Sequence, residues 1–163
     1  MRRTGLLLVT SLLALLFVPS PARAADTAPF FSYCQTMETA LNQRRFDDYR
    51  GLLADGFRDH AGNDADSHVE VIRRAMDAPG VVIRFRNLAV TRPSATTADL
   101  AWDYDLVQSL GGDTLVNHGR MTVRVVEAPG EGGSRSWRAE RMEVRIVELA
   151  SPTFGVRRRT ARQ

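Results

Sequence analysis

The spacing of apolar positions along this chain changes once, near residue 80. Before it, Phe30, Cys34, Met37 and Leu41 step by four, three and four, which is the spacing of one helix face. A helix is predicted over residues 28 to 45 and a shorter one over 46 to 55, with Asp47 and Asp48 in its first turn, where the helix dipole favours anions, and Gly56 ending it. Phe57-Arg58-Asp59-His60 reads as a short extended segment, and residues 61 to 66 as a polar loop. Ser67 as N-cap and Glu70 three residues on predict a third helix with a capping box, burying Val69, Ile72 and Met76 and ending at Pro79-Gly80.

From residue 81 the period is two, the mark of strands. Four are predicted, over 81 to 90, 97 to 107, 116 to 127 and 136 to 149. The second sets Leu100, Trp102, Tyr104 and Leu106 against Asp99, Asp103 and Asp105, and the third sets Met121, Val123 and Val125 against Arg120, Thr122 and Arg124. Each strand therefore has one apolar and one charged face. The connections at Arg92-Pro93-Ser94, Leu110-Gly111-Gly112-Asp113 and Pro129-Gly130-Glu131-Gly132-Gly133 are short enough for an antiparallel meander. Helices first and a one-sided sheet afterwards predict an α+β domain in which the helices cover the apolar sheet face. The other face is expected to carry a cross-strand ladder of aspartates and arginines and to serve as a homodimer contact.

The first residues lie outside this pattern. Arg2 and Arg3 precede a mostly apolar run from Leu6 to Val18, then Pro19, Pro21 and the triplet Ala22-Arg23-Ala24. That is the three-part layout of a secretory signal peptide cleaved after Ala24, and the run is shorter than the ~20 apolar residues a membrane span needs. The chain is accordingly read as a signal peptide over 1–24, one domain over 25–150 and a disordered basic tail over 151–163, with the mature protein in the periplasm or secreted.

Charge follows from that division. The whole chain carries a net charge of +3, but all 22 basic residues are Arg, three of them fall in residues 1–24, and the remaining 19 equal the 19 acids. Arg157, Arg158, Arg159 and Arg162 crowd the end, so the domain itself is acidic and no nucleic-acid partner is expected; the tail alone could touch an anionic surface. The absence of lysine excludes a Schiff-base amine and a Walker A loop. One cysteine, Cys34, makes no internal bridge and reads as a small buried hydrophobe. The spacing of His60, His68 and His118 gives no metal site, and His68 and His118 are expected on solvent-facing surfaces. No cofactor is expected.

Ala40-Leu41-Asn42, then Phe46-Asp47-Asp48-Tyr49 leading into Leu52-Leu53-Ala54-Asp55-Gly56-Phe57-Arg58-Asp59-His60, resembles the opening of the nuclear transport factor 2-like superfamily, which includes ketosteroid isomerases and SnoaL-like cyclases. The resemblance spans about 25 to 150. It implies a cone-shaped domain with N-terminal helices packed on a curved antiparallel sheet of four or more strands, a pocket inside the cone, and dimerisation through the sheet. It places the isomerase tyrosine near Met37, with Tyr33 a turn earlier, and the proton-transfer base near Asp59 or His60. The second acid should lie on the strand 116 to 127, which has none before Glu127. Asp59 and His60 are thus the catalytic candidates, and Tyr33, Met37, Trp102, Tyr104, Met121 and Met142 the expected pocket lining. With the catalytic set incomplete, the sequence is read as a binding domain for a small apolar molecule or an envelope protein, and as a cyclase- or isomerase-type enzyme in the alternative.

Overall fold

The computed structural model describes residues 21–129 and 134–149. Residues 1–20 of the expected signal peptide and the whole expected tail lie outside the described residues.

Helix α1 runs from Pro21–Asn42, with Pro29 inside it, so it begins seven residues earlier than predicted. Its apolar stripe, Phe30, Tyr33, Cys34, Met37, Ala40 and Leu41, is buried as the spacing demands. Arg44 ends it in a left-handed conformation (φ 58°) that a residue with a Cβ adopts only at a cost. The Arg44 guanidinium offsets that cost, donating to the Asn42 carbonyl at 3.0 Å and to the Val81 carbonyl at 2.9 Å.

Helix α2 is Phe46–Gly51, shorter than predicted, because the chain turns at Leu52 into strand β1, Leu53–Asp59. Leu53 and Phe57 are buried four residues apart, a spacing that imitates a helix. A regular strand would bury Asp55 between them as well; the bulge leaves it exposed, for Leu53 pairs with Ala139 and Arg58 with Arg141, so five steps of one strand oppose two of the other. Helix α3, Ala65–Met76, is capped by Asp64, whose Oδ1 accepts the Ser67 backbone N–H at 2.9 Å. The cap therefore lies three residues before the predicted Ser67, and Ser67 is the residue being capped.

The remaining strands are β2 (Val81–Thr91), β3 (Thr97–Leu110), β4 (Asp113–Pro129) and β5 (Arg135–Leu149). They form the predicted meander, and β1 adds to β5 in parallel, giving one mixed sheet in the order β1-β5-β4-β3-β2. Its inner face buries Leu100, Trp102, Tyr104, Met121, Val123, Val125 and Met142 under the helices. Where the Tyr104 ring crosses β4, only Gly119 leaves room, because a Cβ there would overlap the ring. The outer face carries the expected ladder. Arg124 holds Asp99 through two bonds of 2.8 and 3.2 Å, Arg120 lies 3.8 Å from Asp103, and Asp105 is shared by Arg86 and His118. His118 thus lies on the charged outer face, as expected, with its side chain partly exposed and its Nδ1 hydrogen-bonded to Asp105 at 2.6 Å.

Strand β2 is an edge, and α1 lies along it. The Asn42 side chain receives the Ile83 N–H and donates to the Ile83 carbonyl, both at 2.8 Å; Glu38 Oε2 accepts the Phe85 N–H at 2.9 Å. With Arg44 on Val81, three α1-end side chains take the outward backbone groups of every second residue, 81, 83 and 85. Removing the Asn42 amide leaves two part-buried backbone groups unpaired. Asn42→Ala should therefore cost about 1–3 kcal/mol in a denaturant titration; a loss under about 0.5 kcal/mol would show that water replaces the clamp.

Candidate functional site

Two places concentrate chemistry. The first lies where α2, β1 and α3 meet. Ala65, His68, Val69, Ile72 and Met76 share one face of α3, which turns His68 into the core at 4% exposure, against the expectation of a solvent-side histidine. The apolar stripe ran through its position; a polar residue there was the signal available in the sequence. His68 Nδ1 lies 3.0 Å from Asp59 Oδ2 and Nε2 lies 2.9 Å from the Tyr49 hydroxyl. A carboxylate only accepts, so Nδ1 carries the proton and Nε2 receives the tyrosine O–H. Phe57 packs on the imidazole with ring centroids 5.0 Å apart.

Asp59 is held from four directions. Its Oδ1 accepts the backbone N–H groups of Ala61 and Asn63, and its Oδ2 accepts the Asn63 amide and the His68 imidazole, all at 2.9–3.0 Å. The bond to the residue two positions on is an Asx turn, closed by Gly62 at φ 85°. Burial pushes the Asp59 carboxyl up, but the bonds from Asn63, His68 and Ala61 outweigh it and hold the group at about 2. Burial drives His68 the other way, below its ordinary value, and the Asp59 carboxylate offsets that only in part. Tyr49 is likewise pushed well up by burial and by the nearby Asp59 charge. His60, next in the chain, is exposed and does not join the group.

The second place is a cleft of about 480 Å³ between α1 and the edge strand, lined by Phe31, Cys34, Glu38, Phe85, Leu88 and Trp102 among others. It opens where the clamp ends: beyond Phe85 the pairing of β2 with β3 shifts between Arg86 and Ala89, and Asn87 takes a left-handed φ of 56°. Burial pushes the Cys34 thiol up to about 12, so it is no nucleophile at neutral pH. None of Asp59, His60, His68 and Tyr49 lines this cleft. Of the six residues expected to line a pocket, Tyr33, Met37, Tyr104, Met121 and Met142 pack in the core, and Trp102 both packs there and reaches the cleft. The Tyr33 hydroxyl donates to the Leu52 carbonyl at 3.2 Å. Among the described residues no cluster of His, Cys, Asp or Glu could hold a metal.

No protein-family model and no curated protein matches the chain. Solved structures do. A hexachlorocyclohexane dehydrochlorinase, LinA-type3 from Novosphingobium barchaimii, superposes at a TM-score of 0.65 over 82% of this chain and 94% of its own, with 13% identity. An NTF2-like protein of unknown function in nutrient uptake from Rhodospirillum rubrum does so at 0.57 over 73% and 98%, with 15% identity. The chain has the nuclear transport factor 2-like fold. A further protein of this fold and of unknown function, from Shewanella oneidensis, matches at 0.55 over 73% and 98%, with 17% identity. Nuclear transport factor 2-like structures thus include an enzyme and proteins without assigned function, and the likeness carries the architecture alone.

The buried trio should make this domain less stable in acid. The native pKa of His68 lies below its ordinary 6.5, so below that pH the unfolded chain binds more protons and stability falls as pH falls. Asp59 adds a second loss, beginning near 3.8 and complete near 2. Denaturant midpoints should be level above about pH 7 and decline toward pH 5. His68→Gln, neutral throughout, should flatten that decline; an unchanged slope would assign it to other groups.

Proposed function

We propose that this chain is a non-catalytic binding domain that takes a small, largely apolar ligand in the cleft between α1 and β2. The observation that carries the reading is the contrast between the two cavities the sequence could have offered. Inside the cone, Met37, Met121 and Met142 with Trp102 and Tyr104 are buried from solvent, whereas the flank cleft is open and offers about 480 Å³ beside apolar and aromatic walls, a size suited to a small molecule. Asp59 supports the same reading: its oxygens are engaged by four internal donors, and a carboxylate held at about 2 is a weak base at neutral pH.

The alternative, a proton-transfer enzyme of cyclase or isomerase type, draws on the Asp59–His68–Tyr49 hydrogen-bond chain and on the dehydrochlorinase among the similar structures. Turnover that Asp59→Asn abolished, with the fold intact, would favour it.

We further propose export and homodimerisation through the charged outer face of the sheet, supported by the signal layout of residues 1–24 and by the Asp99, Asp103 and Asp105 ladder. The exported protein should have Ala25 as its first residue by intact mass and scatter light as a dimer that weakens with salt, since half-exposed ion pairs are screened. An intact Met1 would refute the export, and a monomer at low salt the assembly.

Ligand placement is tested by titrating the labelled protein with small aromatic fragments followed by NMR. Shifts should gather at Cys34, Phe85 and Leu88, and Leu88→Trp, which fills the cleft, should weaken binding at least ~10-fold, as expected for a blocked apolar site. Binding that survives Leu88→Trp, or that maps to Met37 and Met142, would overturn the cleft reading.

A further inference from the structure

Two stripes run along α1, one residue apart. Phe30, Cys34, Met37 and Leu41 form the buried one, and Phe31, Gln35, Glu38 and Asn42 repeat its steps of four, three and four on the side that meets the edge of β2. In this second stripe Asn42 and Glu38 clamp the strand, while Phe31, Gln35 and Glu38 line the cleft. Glu38 does both.

Its charge is also placed unlike the others. Of the partly buried carboxylates among the described residues, Asp59 faces His68, Asp99 faces Arg124, Asp103 faces Arg120, Asp105 faces Arg86 and His118, Glu127 faces Arg135 and Glu143 faces Arg145. Glu38 Oε2 accepts the Phe85 backbone N–H at 2.9 Å, and no basic side chain among the described residues pairs with it. One N–H takes about a quarter of what a carboxylate can accept, so Oε1 keeps its lone pairs for another donor. The charge is felt along the cleft wall: burial pushes the Cys34 thiol up, and Glu38 pushes it further.

The rest of the lining does not cancel that charge. Arg86 is held by Asp105 on the outer face, and the Asn87 amide donates to Asp103. An anion in the cleft would meet Glu38 with no uncommitted cation to offset it, whereas a cation would meet a carboxylate that lacks a counterion. Phe31, 58% exposed, and Phe85 border the same space, and aromatic faces attract cations as well as apolar groups.

We propose that the cleft binds a small protonated amine with an apolar body, its ammonium donating to Glu38 Oε1 and its body resting on Phe31 and Leu88. This rests on the cleft being the binding site, as proposed above. No movement of β2 is required, because Phe31 and Glu38 already border the open space. A charge-assisted hydrogen bond at a partly buried carboxylate outweighs an exposed ion pair, since less water competes for the charge.

Phenethylamine, an ammonium ion at neutral pH, and phenethyl alcohol share a shape and differ in charge; phenylpropionate carries the opposite sign. Titrated into the protein and followed by NMR, the amine should bind about 10-fold more tightly than the alcohol, as expected for one hydrogen bond to a charged group, and phenylpropionate more weakly than the alcohol. Glu38→Gln removes the charge and keeps a side-chain oxygen for the Phe85 N–H, so it should bring the amine to within about 2-fold of the alcohol. In the unaltered protein the Phe85 amide proton, which shares the Glu38 carboxylate, should move further with the amine than with the alcohol, a readout that stands even where Glu38→Gln fails to fold. An amine that binds no more tightly than the alcohol, or a preference that survives Glu38→Gln, overturns the amine assignment, while alcohol shifts at Cys34, Phe85 and Leu88 keep the cleft. If none of the three binds at millimolar concentration, or their shifts gather away from those residues, the assignment and the cleft reading both fall.

Discussion

The side-chain clamp of α1 on the edge strand fixes more of this molecule than any other contact. An edge strand exposes a row of backbone donors and acceptors that either recruit another chain or must be covered. Here Asn42, Glu38 and the Arg44 guanidinium cover it at Ile83, Phe85 and Val81. Because the three covered residues alternate, their other faces point Val81 and Ile83 into the core while the backbone is held from the side. The clamp thereby sets the distance of α1 from the sheet, and with it the depth at which Phe30, Tyr33 and Met37 enter the core. It also sets where the cleft begins, since α1 and β2 part company once Phe85 is passed.

At the opposite edge of the sheet, polar groups do the joining from inside. Asp59 at the end of β1, His68 in α3 and Tyr49 in α2 tie three elements together by hydrogen bonds. Replacing such a buried network with hydrocarbon often leaves stability unchanged or raises it, so its worth lies in permitting one arrangement. Imidazole suits this role because its two nitrogens lie at fixed directions in one plane. A carboxylate and a hydroxyl can both be satisfied only when α2 and α3 hold one mutual orientation. The same constraint couples this corner to pH, because adding a proton at Nε2 removes the acceptor that Tyr49 requires.

How far the sequence could be read follows from the range of each interaction. The alternation in β2 to β5 is local, and Asp99, Asp103 and Asp105 disclosed both the strands and the outer ladder. The second half of β1 reads as an extended segment from Phe57, but its first half falls in the preceding predicted helix, because its partner, β5, lies about eighty residues away and pairs in parallel through a bulge; Leu53 and Phe57, four apart, fit one face of a helix as well as one face of a strand. Asp64 went unrecognised as a cap because Ser67 and Glu70 form a competing local signal of the same kind. Asp59 was singled out, but its partners His68 and Tyr49 depend on how three elements meet, which no local pattern encodes. The cleft was illegible for the same reason: it is defined by where a clamp stops.

The inside of the cone is apolar and closed to solvent. At the helix position where the resemblance places a tyrosine stands Met37, and Met121 and Met142 lie on the inner face of the sheet; all three are buried. Methionine is unbranched and bends into irregular space, so three of them can close a tapering cavity that branched residues would leave partly void. The cleft that Trp102 lines is held by α1 on one side and by the end of the clamp on the other. Phe85 is therefore shared between the two: its backbone N–H is secured by Glu38 of α1, while its side chain lines the cleft and packs on Trp102.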